Sequence, residues 1–178
     1  MTEMFRLHVT VNGRPYERDV EPRRLLVDFL RHDLGLHGTH VGCEQGVCGM
    51  CTVLLDGEPV KSCIIVAPQV DGREIRTVES LSGGSEELHP VQRAFIDGHG
   101  LQCGYCTPAF MMVAVALAES GQQLDAEELR EHLAGTLCRC TGYQQILRSV
   151  ESFLDSSLTD GIEGMGIRDP SAMVGRDE

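Results

Sequence analysis

Positive charge is scarce in this chain. Fifteen Lys and Arg stand against 27 Asp and Glu in 178 residues, a formal net charge of -12 at pH 7. Nucleic-acid binding needs clustered cations that displace phosphate counterions, so that class of partner is excluded. Long apolar runs are missing as well. Ala109 to Ala118, the longest, is about half of the roughly 20 residues that cross a bilayer, and no membrane span is expected. The amino end, Met1 to His8, carries no apolar stretch of the signal-peptide kind. Arg23-Arg24 before Leu25-Leu26-Val27 resembles a twin-arginine signal only until Asp28 interrupts it, and is read as the start of an amphipathic helix. Eight cysteines in 178 residues fall below the roughly 8–10% of disulfide-stapled scaffolds. A reducing cytoplasm, where thiols stay free for metal, is the expected setting. No Ser/His/Asp nucleophile arrangement and no Gly-rich phosphate loop after a strand can be read, so substrate chemistry is expected elsewhere.

What is present is cysteine in two quartets: Cys43, Cys48, Cys51, Cys63 and Cys103, Cys106, Cys138, Cys140. The spacing C-x4-C-x2-C of the first three is that of plant-type [2Fe-2S] proteins, with a distant fourth thiolate to close the set. Gly42, Gly46 and Gly49 interleave these cysteines, where positive φ and close approach of backbone N–H groups to sulfide are needed. Two complete ligand sets imply two clusters. Two clusters in one chain imply a path for single electrons.

The first 80 residues read as a small sheet with one helix. Leu7, Val9 and Val11 alternate with polar neighbours, and Asn12-Gly13 is a strong hairpin signal. A helix is expected after Pro22, with Leu25, Leu26, Phe29 and Leu30 on one side. Thr52 to Leu55 forms a strand, Asp56-Gly57 turns it, and Val60 to Cys63 runs back, which returns Cys63 to the neighbourhood of Cys51. Ile75 to Val78 supplies a last strand. Residues 81–87, rich in Gly and Ser, read as a linker.

Four helices are expected over 88–155. Pro90 opens the first, with Val91, Ala94 and Phe95 inward. Pro108 opens the second, which is apolar nearly all round to Ala118 and therefore central. Asp125 caps the third with Glu128 at the capping-box position and Leu124 and Leu129 as a staple; Gly135 ends it. Thr141 with Gln144 repeats the box for the fourth, which buries Ile146, Leu147, Val150, Phe153 and Leu154. The second quartet then falls in two pairs just before helices two and four, where helix amino ends favour an anionic group. Two helix hairpins about an approximate twofold axis would hold it. Taken by itself this quartet fits a four-cysteine zinc site equally well.

Three stretches closely resemble the small iron-sulfur subunit of the molybdenum hydroxylases, the xanthine oxidase family: Gly42-Cys43-Glu44-Gln45-Gly46-Val47-Cys48-Gly49-Met50-Cys51-Thr52, Gln102-Cys103-Gly104-Tyr105-Cys106-Thr107-Pro108, and Cys138-Arg139-Cys140-Thr141-Gly142-Tyr143. The resemblance spans roughly residues 4 to 154. It implies an α+β chain: a β-grasp, ferredoxin-like [2Fe-2S] domain over 1–80, then a four-helix [2Fe-2S]-binding domain over 88–155. It implies partners too, a large subunit with molybdenum and a pterin cytosine dinucleotide and a medium subunit with FAD, as a heterotrimer or a dimer of heterotrimers. Electrons would pass from molybdenum through the helical-domain cluster and then the β-grasp cluster to the flavin. Gln102 matches a glutamine that contacts the pterin, and Cys140 the ligand whose sulfur approaches the pterin amino group. The loop Gly42 to Gly49 should face the flavin side. Ala109 and Met50 depart from the family's usual glycine and alanine; Met50 is expected to influence how dry the first cluster is.

The histidines are not needed as ligands, and His89 and His99 are read as surface or capping residues. The tail, 156–178, carries isolated apolar residues and is expected to be an arm lying on a partner or disordered. The substrate, whether aldehyde, N-heterocycle, purine, aromatic acyl-CoA or carbon monoxide, is not written in this chain. A free-standing two-cluster carrier and a zinc-stabilised binding module are the alternative readings.

Overall fold

The computed structural model describes residues 3–81 and 87–160, the last three by backbone only. Strands β1 (Phe5–Val11) and β2 (Arg14–Val20) form an antiparallel hairpin, and β3 (Thr52–Leu55) and β4 (Glu58–Lys61) form another. Both hairpins turn on two left-handed residues, Asn12 and Gly13 at φ 52° and 74°, Asp56 and Gly57 at 49° and 90°. This geometry matches the right-handed twist of the strands.

The two turns also seat the strand between them. β5 (Glu74–Arg76) pairs parallel with β1 and antiparallel with β3, giving the sheet order β2-β1-β5-β3-β4. The Asn12 side chain accepts from the Thr77 amide at 2.8 Å, and Asp56 accepts from the Glu74 amide at 2.8 Å. β5 thus ends at Arg76, before the expected Val78, because Thr77 is claimed by Asn12 and Val78–Ser80 turns as a 3-10 helix.

The expected helix after Pro22 is shorter than its apolar pattern. Leu25 is extended and bridges to Val66, so α1 begins at Leu26 (Leu26–Asp28) and passes into a π-helical turn, Phe29–Asp33. Leu26, Phe29 and Leu30 still fill the sheet's core with Leu7, Val53 and Ile75. Leu25 instead packs with Val27, Val41, Cys51 and Cys63.

Helices α2 (Pro90–Asp97), α3 (Thr107–Ser120), α4 (Ala126–Leu133) and α5 (Gln144–Asp160) complete the described fold. His89 caps α2 as acceptor from the Val91 amide at 3.2 Å, and Asp125 caps α4 in a full capping box with Glu128. The Thr141–Gln144 box does not form. Tyr143 stands left-handed at φ 69° ahead of α5, and Thr141 Oγ1 accepts from the Tyr143 amide at 3.1 Å instead. α5 runs to Asp160, five residues past the boundary the sequence suggested. The remaining tail and most of the expected linker, 82–86, lie outside the described residues.

α3 is apolar all round because it is covered on two sides. All four residues of β3 are buried, and while Val53 and Leu55 face the sheet's core, Leu54 joins Phe95, Phe110, Met112, Ile146, Val150 and Phe153 in the helical core. α3 therefore lies between sheet and helices. An Arg76 to Glu119 bidentate ion pair, one contact at 2.7 Å, closes the rim of this seam.

Candidate metal centres

The first quartet gathers around the loop that joins the π-helical turn to β3. Cys51 ends this loop, and Ser62 ties the returning chain to it, donating to the Cys51 carbonyl through its amide at 3.2 Å and its hydroxyl at 2.7 Å. Cys63 consequently sits in a 3-10 turn just beyond β4 rather than on the strand, with its amide 3.4 Å from Cys51 Sγ. Both thiols are buried against Leu25, Val27 and Val41. Cys43 lies toward the surface, where its sulfur accepts from the amides of Gln45 and Cys48, each at 3.4 Å. Glu44 and Gly46, at φ 54° and 72°, turn the loop around that sulfur. Gly42 has no positive φ. It is needed for space, since a Cβ there would stand 3.0 Å from Cys48 Sγ and 3.1 Å from Met50 Cγ.

The second quartet lies on the loops that lead into α3 and α5. Cys106 is the residue ahead of α3 and is buried; Cys138 is partly buried and Cys103 and Cys140 are exposed. Cys140 and Cys103 bring their sulfurs to 3.5 Å, while Cys106 lies against Cys138. Cys138 Sγ also contacts Thr141 Oγ1 at 3.2 Å, and its amide donates to the Tyr143 hydroxyl at 2.9 Å. Gln102 is exposed beside Cys103. The outer pair of sulfurs and Gln102 therefore face outward, and the inner pair faces the protein.

Electrostatics separate these thiols in the same way. The Cys48 and Gln45 amides hold Cys43 down to about 6. Burial pushes Cys51 up to about 11 and Cys106 up to about 12. Burial also opposes ionisation of Cys138, yet the Thr141 hydroxyl and nearby amides leave it below the usual thiol value; the Cys103 thiol raises Cys140. Amides aimed at sulfur favour thiolate, and a metal must displace protons from the buried thiols as it binds.

These donors fit sulfide-bridged iron. Among the described residues no three His, Cys, Asp or Glu side chains group tightly enough for one ion. The sulfurs stand in pairs, and a [2Fe-2S] group takes two thiolates on each of two irons. Thr107 Oγ1, next to Cys106 in sequence, is buried without a hydrogen-bond partner among the protein atoms, a deficit an acceptor on a bound group would relieve.

The two sites touch. The Leu137 amide donates to the Cys48 carbonyl at 2.9 Å, directly linking the residue before Cys138 to a residue of the first quartet. Gly49, at φ 75°, lies beneath this contact; a Cβ there would stand 2.3 Å from the Gly135 carbonyl oxygen. The Gly49 end of the loop is thus turned toward the helical half, while Val47 is exposed. Met50 belongs to the helical core, so it seals the seam between the halves. Sequence reasoning did not find this use of Gly49 and Met50, nor the stacking of His40 on Tyr105, because none of these four residues belongs to a local periodicity.

Comparison with known proteins agrees with both halves. Residues 9–82 match the 2Fe-2S iron-sulfur cluster binding domain, and residues 77–151 the [2Fe-2S] binding domain. Among curated relatives, the beta subunit of the 6-hydroxypseudooxynicotine dehydrogenase complex of Paenarthrobacter nicotinovorans is 56% identical over 151 residues, 84% of this chain and 94% of the relative. Caffeine dehydrogenase subunit gamma of Pseudomonas sp. (strain CBB1) is 49% identical over 149 residues, 82% of this chain and 89% of the relative. The crystal structure of quinoline 2-oxidoreductase from Pseudomonas putida 86 superposes with a TM-score of 0.82 at 42% identity, covering 88% of this chain and 97% of that one. The chain belongs to the iron-sulfur subunits of the molybdenum hydroxylases, the xanthine oxidase family. It is an electron-transfer subunit of oxidoreductase complexes and binds two [2Fe-2S] clusters.

Proposed function

We propose that electrons enter at Cys103 and Cys140 and leave the helical half through Cys138, crossing to the first quartet by the hydrogen bond from the Leu137 amide to the Cys48 carbonyl. That 2.9 Å contact is the observation that carries the reading. Each [2Fe-2S] group, when bound, supplies a one-electron store. Cys43, Cys48, Cys51 and Cys63 hold the first; Cys103, Cys106, Cys138 and Cys140 hold the second. The chain's own part is to fix the groups, keep Cys51, Cys63 and Cys106 away from water, and expose the outer pair to a donor.

The exposed Gln102 and Cys140 form the contact with the pterin of a molybdenum subunit, and a flavin subunit receives electrons from the first centre. A heterotrimer in the cytoplasm is the proposed assembly. Relatives named for caffeine, 6-hydroxypseudooxynicotine and quinoline share nitrogen-containing heteroaromatic substrates, which favours an N-heterocycle as the substrate class of this complex. The residues that would recognise it lie on another chain.

Cys140→Ser in the purified complex tests the route. The first centre's paramagnetic resonance signal should persist after reduction with dithionite, while substrate no longer reduces the flavin. Normal flavin reduction in that variant would refute the proposed point of arrival.

A further inference from the structure

A second junction joins the two sites at the residues that lead into Cys43. The His40 and Tyr105 rings stack with centroids 4.5 Å apart and planes inclined by 15°. His40 Nδ1 lies 2.7 Å from the Tyr105 carbonyl, and the Tyr105 hydroxyl donates to the Val41 carbonyl at 2.7 Å. A carbonyl can only accept, so Nδ1 carries the proton and the contact survives in both the neutral and the charged ring. Tyr105 lies between Cys103 and Cys106; His40 and Val41 lead directly into Gly42 and Cys43.

The His40 side of this contact is held from behind. Arg31 Nη1 donates to the His37 and Thr39 carbonyls at 2.8 and 2.7 Å, and the Gly38 amide donates to Glu79 Oε1 at 2.7 Å. The segment before Cys43 is therefore fixed to the π-helical turn and to the 3-10 turn after β5 before it meets Tyr105. The Leu137 hydrogen bond, the close approach of Gly49 to Gly135 and the seat of Met50 in the helical core fix the Cys48–Met50 end of the first loop. The His40–Tyr105 contact fixes the other end, just ahead of Cys43.

We propose that His40 and Tyr105 are positioning residues that set the separation and orientation of the two clusters, and through them the ease with which an electron crosses. Neither ring touches a reacting atom. One electron leaves one centre and arrives at the other, with no bond or proton changed. This rests on the two-cluster reading of the chain, so the experiment separates the two claims by counting clusters first.

The full-length chain carrying both centres is reduced with dithionite, and the splitting that arises from magnetic interaction between the two reduced centres is recorded at low temperature. In the purified complex the rate of flavin reduction by substrate is followed alongside. His40→Ala and Tyr105→Ala should keep full iron content, change the splitting, and slow flavin reduction severalfold, since electron transfer weakens steeply as two centres move apart. Should either alanine variant lose iron, His40→Phe and Tyr105→Phe decide, because each can keep the stack while deleting one hydrogen bond. A changed splitting in either supports the clasp. Wild-type splitting and wild-type rate in fully loaded variants overturn it, whereas a wild-type chain without two iron-sulfur signals overturns the two-cluster reading itself.

Discussion

The two cysteine sites solve one problem in opposite ways. The first is wrapped by a loop whose closing pair, Cys51 and Cys63, is sunk against Leu25, Val27 and Val41 and locked by Ser62. The second lies on the loops that lead into α3 and α5, with Cys106 buried but Cys103 and Cys140 at the surface. The wrapped site buries two of its sulfurs, Cys51 and Cys63, and leaves Cys43 toward the surface. The second site trades protection for contact, which suits the entry point proposed for it. Under the proposed route, the exposed pair of ligands is where electrons arrive.

The contrast can be broken most sharply by stripping iron. After a chelator has acted on the oxidised chain, reduction with dithionite should show the first centre's resonance signal but not the second's; simultaneous loss would show that the exposed pair confers no vulnerability. Next come the glycines. Gly49→Ala combines a left-handed backbone with a Cβ 2.3 Å from the Gly135 oxygen, and should cost roughly 2–5 kcal/mol in denaturant melts and disturb the Leu137 contact. Gly142→Ala in the second loop, at φ 67° with open space around it, should cost only about 1–2 kcal/mol. Equal costs would erase the distinction between a crowded seam and an open turn.

Arg76→Ala tests what holds the halves together. It leaves Glu119 unpaired at the seam with 16% of its side chain exposed, and the loss should be about 1–3 kcal/mol, below that of a fully buried pair because Arg76 keeps 26% exposure. The smallest expected effect is pH dependence at His89. Burial lowers its pKa from 6.5, with Arg76 lowering and Glu119 raising it. The unfolded chain then takes up a proton where the folded one does not, so this stabilisation is complete above pH 6.5 and fades as pH falls toward the folded value. Urea melts between pH 7.5 and 5 should show that slope, and His89→Asn, which keeps a capping oxygen, should flatten it.

Much of this was readable along the chain because it is local. Asn12-Gly13 and Asp56-Gly57 dictate hairpins through backbone sterics, Asp125 and Glu128 declare a helix start, and the spacing of eight thiols names the chemistry. Other features depended on distant partners. Leu25 fits a helical stripe yet is drawn out to bridge Val66, and Thr141 fits a cap yet is spent on Cys138 and the Tyr143 amide. Ala109 to Ala118 announced a buried helix, but not that Leu54 of the sheet lies on it.

By itself the sequence determined two cysteine sets, a small twisted sheet followed by helices, and a surface too acidic for nucleic acid. Tertiary structure alone decided how the two sites meet: which sulfurs pair, that Cys48 and Leu137 share a hydrogen bond, and that Gly49 must yield to Gly135. The reason is physical. Ligand type and turn geometry are set by neighbours a few residues away, whereas separation and relative orientation are set by packing between segments some 90 residues apart, such as Cys48 and Leu137, and no local pattern encodes that.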